Sequence, residues 1–180
     1  MTTAPAIVRF EELEDGPAIR AVHEAAFPSP DEARLVDALR AKGKAWVSLV
    51  AEADAHVVGH ILFSPVTLTG HPLVGVGLAP VAVVPGLQKR GVGKLLVWKG
   101  IEVCRQKKYP FVVVLGEPAY YQQFGFLRAT LRQLQNEYGV DEEFMVLQLS
   151  ENVLPASGGL VKYAPEFAAL GDQRPQDERV

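Results

Sequence analysis

The segment Leu78 to Lys94, LAPVAVVPGLQKRGVGK, constrains the chain more than any other. A valine-rich apolar run ends at Pro85, a glycine-containing turn follows, and a helical pattern opens at Gly91. Such a turn presents successive backbone N–H groups at the positive end of a helix, which makes a natural pyrophosphate cradle. Gly91 and Gly93 let an anion come close, because a Cβ there would obstruct it. Lys89, Arg90 and Lys94 add positive charge around the turn. Two nucleotide-binding patterns fail at residues their mechanism requires. G-x-G-x-x-G meets Leu96 where its third glycine belongs, and the P-loop meets Val92 and Gly93 in place of Lys and Ser/Thr.

The rest of the chain supplies a frame for that turn. Ile7–Phe10 is β-leaning, and Asp15-Gly16-Pro17 starts a helix with Asp15 as its cap. Ile19, Val22, His23, Ala26 and Phe27 fall on one face of that helix. A second helix starts near Pro30 with Ser29 as cap and ends at Gly43, with Leu35, Val36 and Leu39 buried. Trp46–Glu52 and Val57–Phe63 flank the Asp54-Ala55-His56 turn as a β-hairpin, and Val74–Val84 is a further strand. Gly91–Lys107 is helical, with Gly93 and Gly100 letting it lie close to a sheet. Phe111–Leu115 is a continuous apolar run of the kind buried on both faces. Pro118–Phe124 reads as a short helix and Phe144–Leu149 as a late strand.

The order β-α-α-β-β-β-α-β-α-β predicts a mixed α/β (α+β) sheet rather than a doubly wound one. One domain spans residues 5–170, and 171–180 form a polar, frayed C-terminal tail. Pro80 removes a ladder donor inside the strand it occupies, so it marks either a bulge or the end of that strand.

Gln88-x-x-Gly91-x-Gly93 after a strand resembles the signature of the GNAT superfamily of N-acetyltransferases. Glu117 to Phe126, EPAYYQQFGF, is similar to the element that follows the fifth strand in the same superfamily. The wording LGEPAYY at 115–121 and GLVKYAPEF at 159–167 resembles a YhbS-like bacterial subgroup of it. The resemblance implies a central, mostly antiparallel sheet of about seven strands, splayed between strands 4 and 5 and flanked by helices. It further implies acetyl-CoA as acyl donor, with the pyrophosphate on Gln88, Lys89, Arg90, Gly91, Val92, Gly93 and Lys94. Pantetheine would enter the splay and pair with Val81, Ala82 and Val83. Many members carry an Asn after the fifth strand, where this chain has Gly116-Glu117. Pairing as a homodimer is common in the superfamily.

Direct attack of a neutral amine on the thioester needs no enzyme nucleophile, so Cys104, on the apolar helix stripe, is a buried inert thiol. A tyrosine hydroxyl, of ordinary pKa ~10, can protonate a leaving thiolate near ~8.5. The resemblance gives that role to Tyr121, which also belongs to the cofactor site. The base that deprotonates the amine is left open among Glu117, Glu52, His60 and water. The four histidines lack ligand-like spacing and no H-E-x-x-H occurs, so no metal is expected.

A formal net charge of −3 gives no general attraction to nucleic acid or an anionic membrane. No apolar run approaches the ~20 residues that span a bilayer, and a single cysteine fits a reducing, cytoplasmic setting. The leading function is acetyl transfer from acetyl-CoA to a primary amine of a small-molecule or peptide acceptor. The alternative is a non-catalytic acyl-CoA-binding or sensing module. A modifier of protein N-termini or lysines would need an acidic groove, for which Asp141-Glu142-Glu143 is too little. The resemblance implies that the acceptor is chosen by the first two helices and the later loops, with residues 28–43 lining the acceptor side.

Overall fold

Asp54 and Ala55 both carry positive φ, 49° and 61°, the backbone of a tight two-residue turn that matches strand twist. They join β2 (Val47–Ala53) to β3 (His56–Leu68) as a hairpin. The computed structural model describes residues 5–170 and the backbone of 178–179. Around the hairpin lie β1 (Ile7–Phe10), α1 (Gly16–Ala26), α2 (Asp31–Ala41), β4 (Val74–Val83), α3 (Val92–Gln106), β5 (Phe111–Leu115) and α4 (Pro118–Gln122). These follow the order read from the sequence. β6 (Leu127–Arg128), β7 (Leu134–Asn136), β8 (Phe144–Gln148), β9 (Gly159–Lys162) and β10 (Glu178–Arg179) come after them.

The described strands make one sheet with the path β1-β2-β3-β4-β5-β8-β6, which has the expected seven members. β9 extends it beside β3, β7 lies on β9, and β10 lies on β4, so ten strands are described in all. Pairing is antiparallel except for β4 with β5, β7 with β9, and β10 with β4. The parallel β4–β5 pair is joined by α3 as a crossover.

Each face of the sheet has its own core. α3 contributes Leu96, Val97, Ile101 and Cys104 to one, against Leu49, Ile61, Phe63, Val81 and Val83 of the strands. α1 and α2 cover the other with Ile19, Leu35, Val36 and Leu39, against Val50, Leu62 and Val113. Gly100 is required where α3 crosses the sheet, since a Cβ there would run into the Phe63 ring.

The two cap assignments differ from the sequence reading. Asp15 precedes α1 but makes no side-chain cap; its carboxylate pairs with Arg9 and accepts the Glu12 N–H instead. α2 begins after Pro30, and Ser29 accepts the Asp31 N–H at 3.3 Å from one residue further out. α4 stops at Gln122, two residues early. Of the C-terminal tail, Glu178 and Arg179 pair with Val81 and Ala82, and residues 171–177 and 180 lie outside the described residues.

Candidate active site

β4 and β5 pair only at Val76↔Val112 and Gly77↔Val113. Past those pairs both strands continue towards their C-terminal ends without pairing to each other, β5 taking β8 on its far side. The β3–β4 register also slips here: Ile61 faces Val81 and Phe63 faces Leu78, so β4 carries an extra residue around Ala79-Pro80, a cis peptide. Pro80 therefore sits at a bulge in a strand that runs on to Val83, not at its end. A bulge bends the bulged strand and raises its twist. The outcome is a gap between parallel strands at their carboxyl ends, the usual crevice of such sheets.

The Gln88–Lys94 turn stands at that end of β4. Gln88 is held by its side-chain amide, which donates to the Val83 carbonyl at 2.9 Å. Lys89 and Gly91 have φ of 59° and 87°, and α3 starts directly after Gly91. Left-handed residues among right-handed ones turn successive N–H groups to one side, and the first N–H groups of a helix have no intrahelical acceptor. A Cβ at Gly91 would meet nothing of the protein within 4 Å, so the space above it is open; its positive φ is what calls for glycine. Lys89, Arg90 and Lys94 are exposed and make no ion pair among the described residues.

Tyr121 is fully buried on the α3 side of the sheet, among residues that include Val81, Val83, Val112 and Val114. It packs edge-on against Tyr120 and Phe126, with ring centroids at 5.2 and 5.5 Å. Strands on both sides of the gap thus share its cluster. Glu117 is exposed at the start of α4, where its carboxylate accepts the Ala119 N–H at 3.4 Å. Glu52 lies at the β1–β2 edge of the sheet, opposite Ile7, and accepts from Arg9 at 3.0 Å. Burial pushes the Cys104 thiol up to about 12, which leaves no thiolate near neutral pH.

His60 is fully buried opposite Ala82, and both its ring nitrogens are engaged. Nδ1 lies 2.8 Å from His23 Nε2 on α1, and Nε2 lies 2.8 Å from Ser48 Oγ on β2. Ser48 in turn donates to Glu11, whose other oxygen accepts from Arg40 Nε at 2.6 Å. Burial raises the Glu11 carboxyl, but the nearby His60 ring, 3.7 Å away, and hydrogen bonds from Arg40 and Ser48 outweigh it and hold it at about 2. Burial lowers both imidazoles, and for His23 it is reinforced by His60 and Arg40, so the pair is neutral at pH 7. Of this network the sequence reading singled out His60 alone. Its one further signal was His23, a polar ring on an otherwise apolar helical face.

Residues 12–126 match the Acetyltransferase (GNAT) family. The chain belongs to that family. It is 37% identical over 163 residues to the Escherichia coli protein described as the uncharacterized N-acetyltransferase YhbS, covering 89% of this chain and 98% of that one. The crystal structure of E. coli YhbS in complex with CoA superposes with a TM-score of 0.85 over 93% of this chain and 96% of that one. A GNAT acetyltransferase from Brucella melitensis in complex with acetyl-CoA is 34% identical, with a TM-score of 0.77 over 91% of this chain and 98% of that one. This GNAT chain is accordingly an acyltransferase. Among its described residues no helix is long and apolar enough to cross a membrane.

Proposed function

We propose that this enzyme transfers the acetyl group of acetyl-CoA to the primary amine of a small-molecule or peptide acceptor, by direct attack in a ternary complex. The observation that carries the reading is the β4–β5 gap leading to an open-topped turn at the N-terminus of α3. The residues present fit the donor. Open space over Gly91, the left-handed backbone at 89 and 91, and three exposed cations suit a pyrophosphate. The β4 edge at Val81–Val83 suits an extended amide arm that pairs as a strand would. The solved relatives from E. coli and B. melitensis, with CoA and acetyl-CoA respectively, support the same reading.

When bound, acetyl-CoA supplies an activated thioester carbonyl. The backbone from Gln88 to Lys94 holds its phosphates, and Gln88 keeps that turn against Val83. Val81, Ala82 and Val83 orient the arm along β4. The Tyr121 hydroxyl, on the α3 side of the gap, gives its proton to the departing thiolate. Transfer needs no cysteine nucleophile, consistent with the protonated, buried Cys104.

The test is calorimetric titration with acetyl-CoA, followed by a thiol-release assay over a panel of small amines and peptide N-termini. Micromolar binding and amine-dependent release of CoA are expected. A folded protein that binds neither CoA nor acetyl-CoA would overturn the reading.

A further inference from the structure

The hydrogen-bond chain from Glu11 to His23 has one consistent set of proton positions. Glu11 is ionised and accepts on both oxygens, from Arg40 Nε and from Ser48. With its hydrogen turned to Glu11, Ser48 Oγ offers His60 a lone pair, so His60 carries its proton on Nε2. His60 Nδ1 is then an acceptor, and His23 must donate to it from Nε2. That leaves a bare lone pair on His23 Nδ1. This atom is buried and has no hydrogen-bond partner among the described residues. A buried polar atom without a partner is costly and calls for an explanation.

Its position supplies one. His60 faces Ala82 across the β3–β4 ladder, and His23 stacks on Phe27, whose cluster contains Ala82 and Val22. Val81 and Val83, the neighbours of Ala82 in β4, belong to the opposite face and to the Tyr121 cluster. The imidazole pair therefore lies against Ala82 on the side of β4 covered by α1 and α2, while Val81 and Val83 face the other side, whose core cluster also holds Tyr121.

Building on the acetyl-transfer reading above, we infer that His23 Nδ1 is the general base of the reaction, with His60, Ser48 and Glu11 as positioning residues that fix its tautomer. The acceptor nitrogen forms the C–N bond with its lone pair, and the C–S bond breaks with its electrons going to sulfur. His23 Nδ1 takes the proton the nitrogen sheds, and the Tyr121 hydroxyl protonates the thiolate. A base with a lowered affinity for protons suits this order, because the attacking nitrogen becomes strongly acidic once bonded to carbon. The imidazolium that forms faces Glu11 through His60 and Ser48, with Asp15 and Arg40 as the other charged groups acting on the pair. As in a Ser-His-Asp arrangement, the carboxylate holds the ring and need not itself be protonated.

The chain of protons gives a test at a distance. In Glu11→Gln the oxygen faces Arg40 Nε and the NH2 group faces Ser48, so every donor reverses: Ser48 donates to His60 Nε2, His60 Nδ1 donates to His23 Nε2, and His23 Nδ1 acquires the hydrogen. His23→Gln keeps a donor near His60 and removes the Nδ1 lone pair. The full chain is used, with nitrogen-15 NMR of the histidine rings, acetyl-CoA calorimetry, and CoA release with glycinamide as the probe amine. Expected are Nε2–H tautomers for His23 and His60 in the wild type, Nδ1–H tautomers in Glu11→Gln, and a CoA-release rate lowered about 100-fold or more in both variants. Acetyl-CoA affinity stays within about threefold. A wild-type His23 protonated on Nδ1, or a His23→Gln rate within about threefold of wild type while acetyl-CoA still binds, overturns the assignment. Wild-type protein that fails to bind acetyl-CoA overturns the acetyl-transfer reading instead, whatever the tautomers.

Discussion

Gly77 pairs with Val113, and beyond that pair β4 and β5 part. A Cβ on Gly77 would approach Tyr163 Cε1 to 2.8 Å, so a bare backbone is needed where β4 crosses this aromatic just before the gap. Past it, the Ala79-Pro80 bulge and the separate partners of β4 and β5 leave two strand edges that do not pair with one another. The proposed function depends on this local failure of a sheet to close.

Part of that gap is not empty of protein. Val81 and Ala82 use one edge to pair with Ile61 and His60, so β10 must lie on the other edge, the one left by β5. A pantetheine arm paired along Val81–Val83 has to displace it. A chain ended at Leu170 is predicted to bind acetyl-CoA several-fold more tightly in calorimetry. Equal affinity would show that β10 and the donor do not compete.

Gly100 sets how closely α3 lies on β3, because the Phe63 ring fills the place of its Cβ. Gly100→Ala should cost about 1–3 kcal/mol in urea unfolding through overpacking, despite the better helix propensity of alanine. A stabilised variant would mean that α3 shifts without penalty.

Acid should destabilise the fold in two stages. His23 and His60 bind protons less readily folded than at the ordinary 6.5, so below about 6.5 the unfolded chain takes up protons the folded one refuses, and stability falls with pH. Glu11, held at about 2 against an ordinary 4.5, contributes stability that is complete above 4.5 and lost between 4.5 and 2, on the order of 3 kcal/mol at most. Urea unfolding from pH 8 to 5 checks the first stage, and His23→Gln should flatten it. A wild-type profile level from pH 7 to 5 would contradict these directions.

Tyr121→Phe keeps a ring in the Phe124–Phe126 cluster and removes only the hydroxyl. CoA release should fall by roughly 10²-fold at saturating acetyl-CoA, with donor affinity little changed. A fall in affinity alone would assign Tyr121 to packing.

The frame was legible because its signals are local. Periodicity in residues 91–107 and the continuous apolar run 111–115 gave α3 and β5 within a residue or so, and Pro80 in an apolar strand left a bulge and a strand end both open, of which the structure has the bulge. The glycine turn was read correctly as the start of a helix, and its Gly91 has a φ of 87° that favours glycine, which pattern alone does not show. The short strands β6, β7, β9 and β10 were missed, since pairings of two to four residues depend on distant partners rather than on pattern. The imidazole network was missed for a similar reason. Its members at 11, 23, 40, 48 and 60 come from separate elements, and only tertiary structure brings His23 to 2.8 Å from His60. Asp15 was read as a cap because local rules favour it there, but the Arg9 guanidinium offers its carboxylate a stronger partner.

The most direct test of the central claim compares wild type with Gly91→Glu in calorimetric titrations with acetyl-CoA. A side chain is strained at a φ of 87°, and a carboxylate there would project into the proposed anion cradle. Wild type should bind with micromolar affinity, lost by at least about 100-fold in a variant that still unfolds cooperatively. Undiminished binding by that variant would place the donor elsewhere and contradict the account.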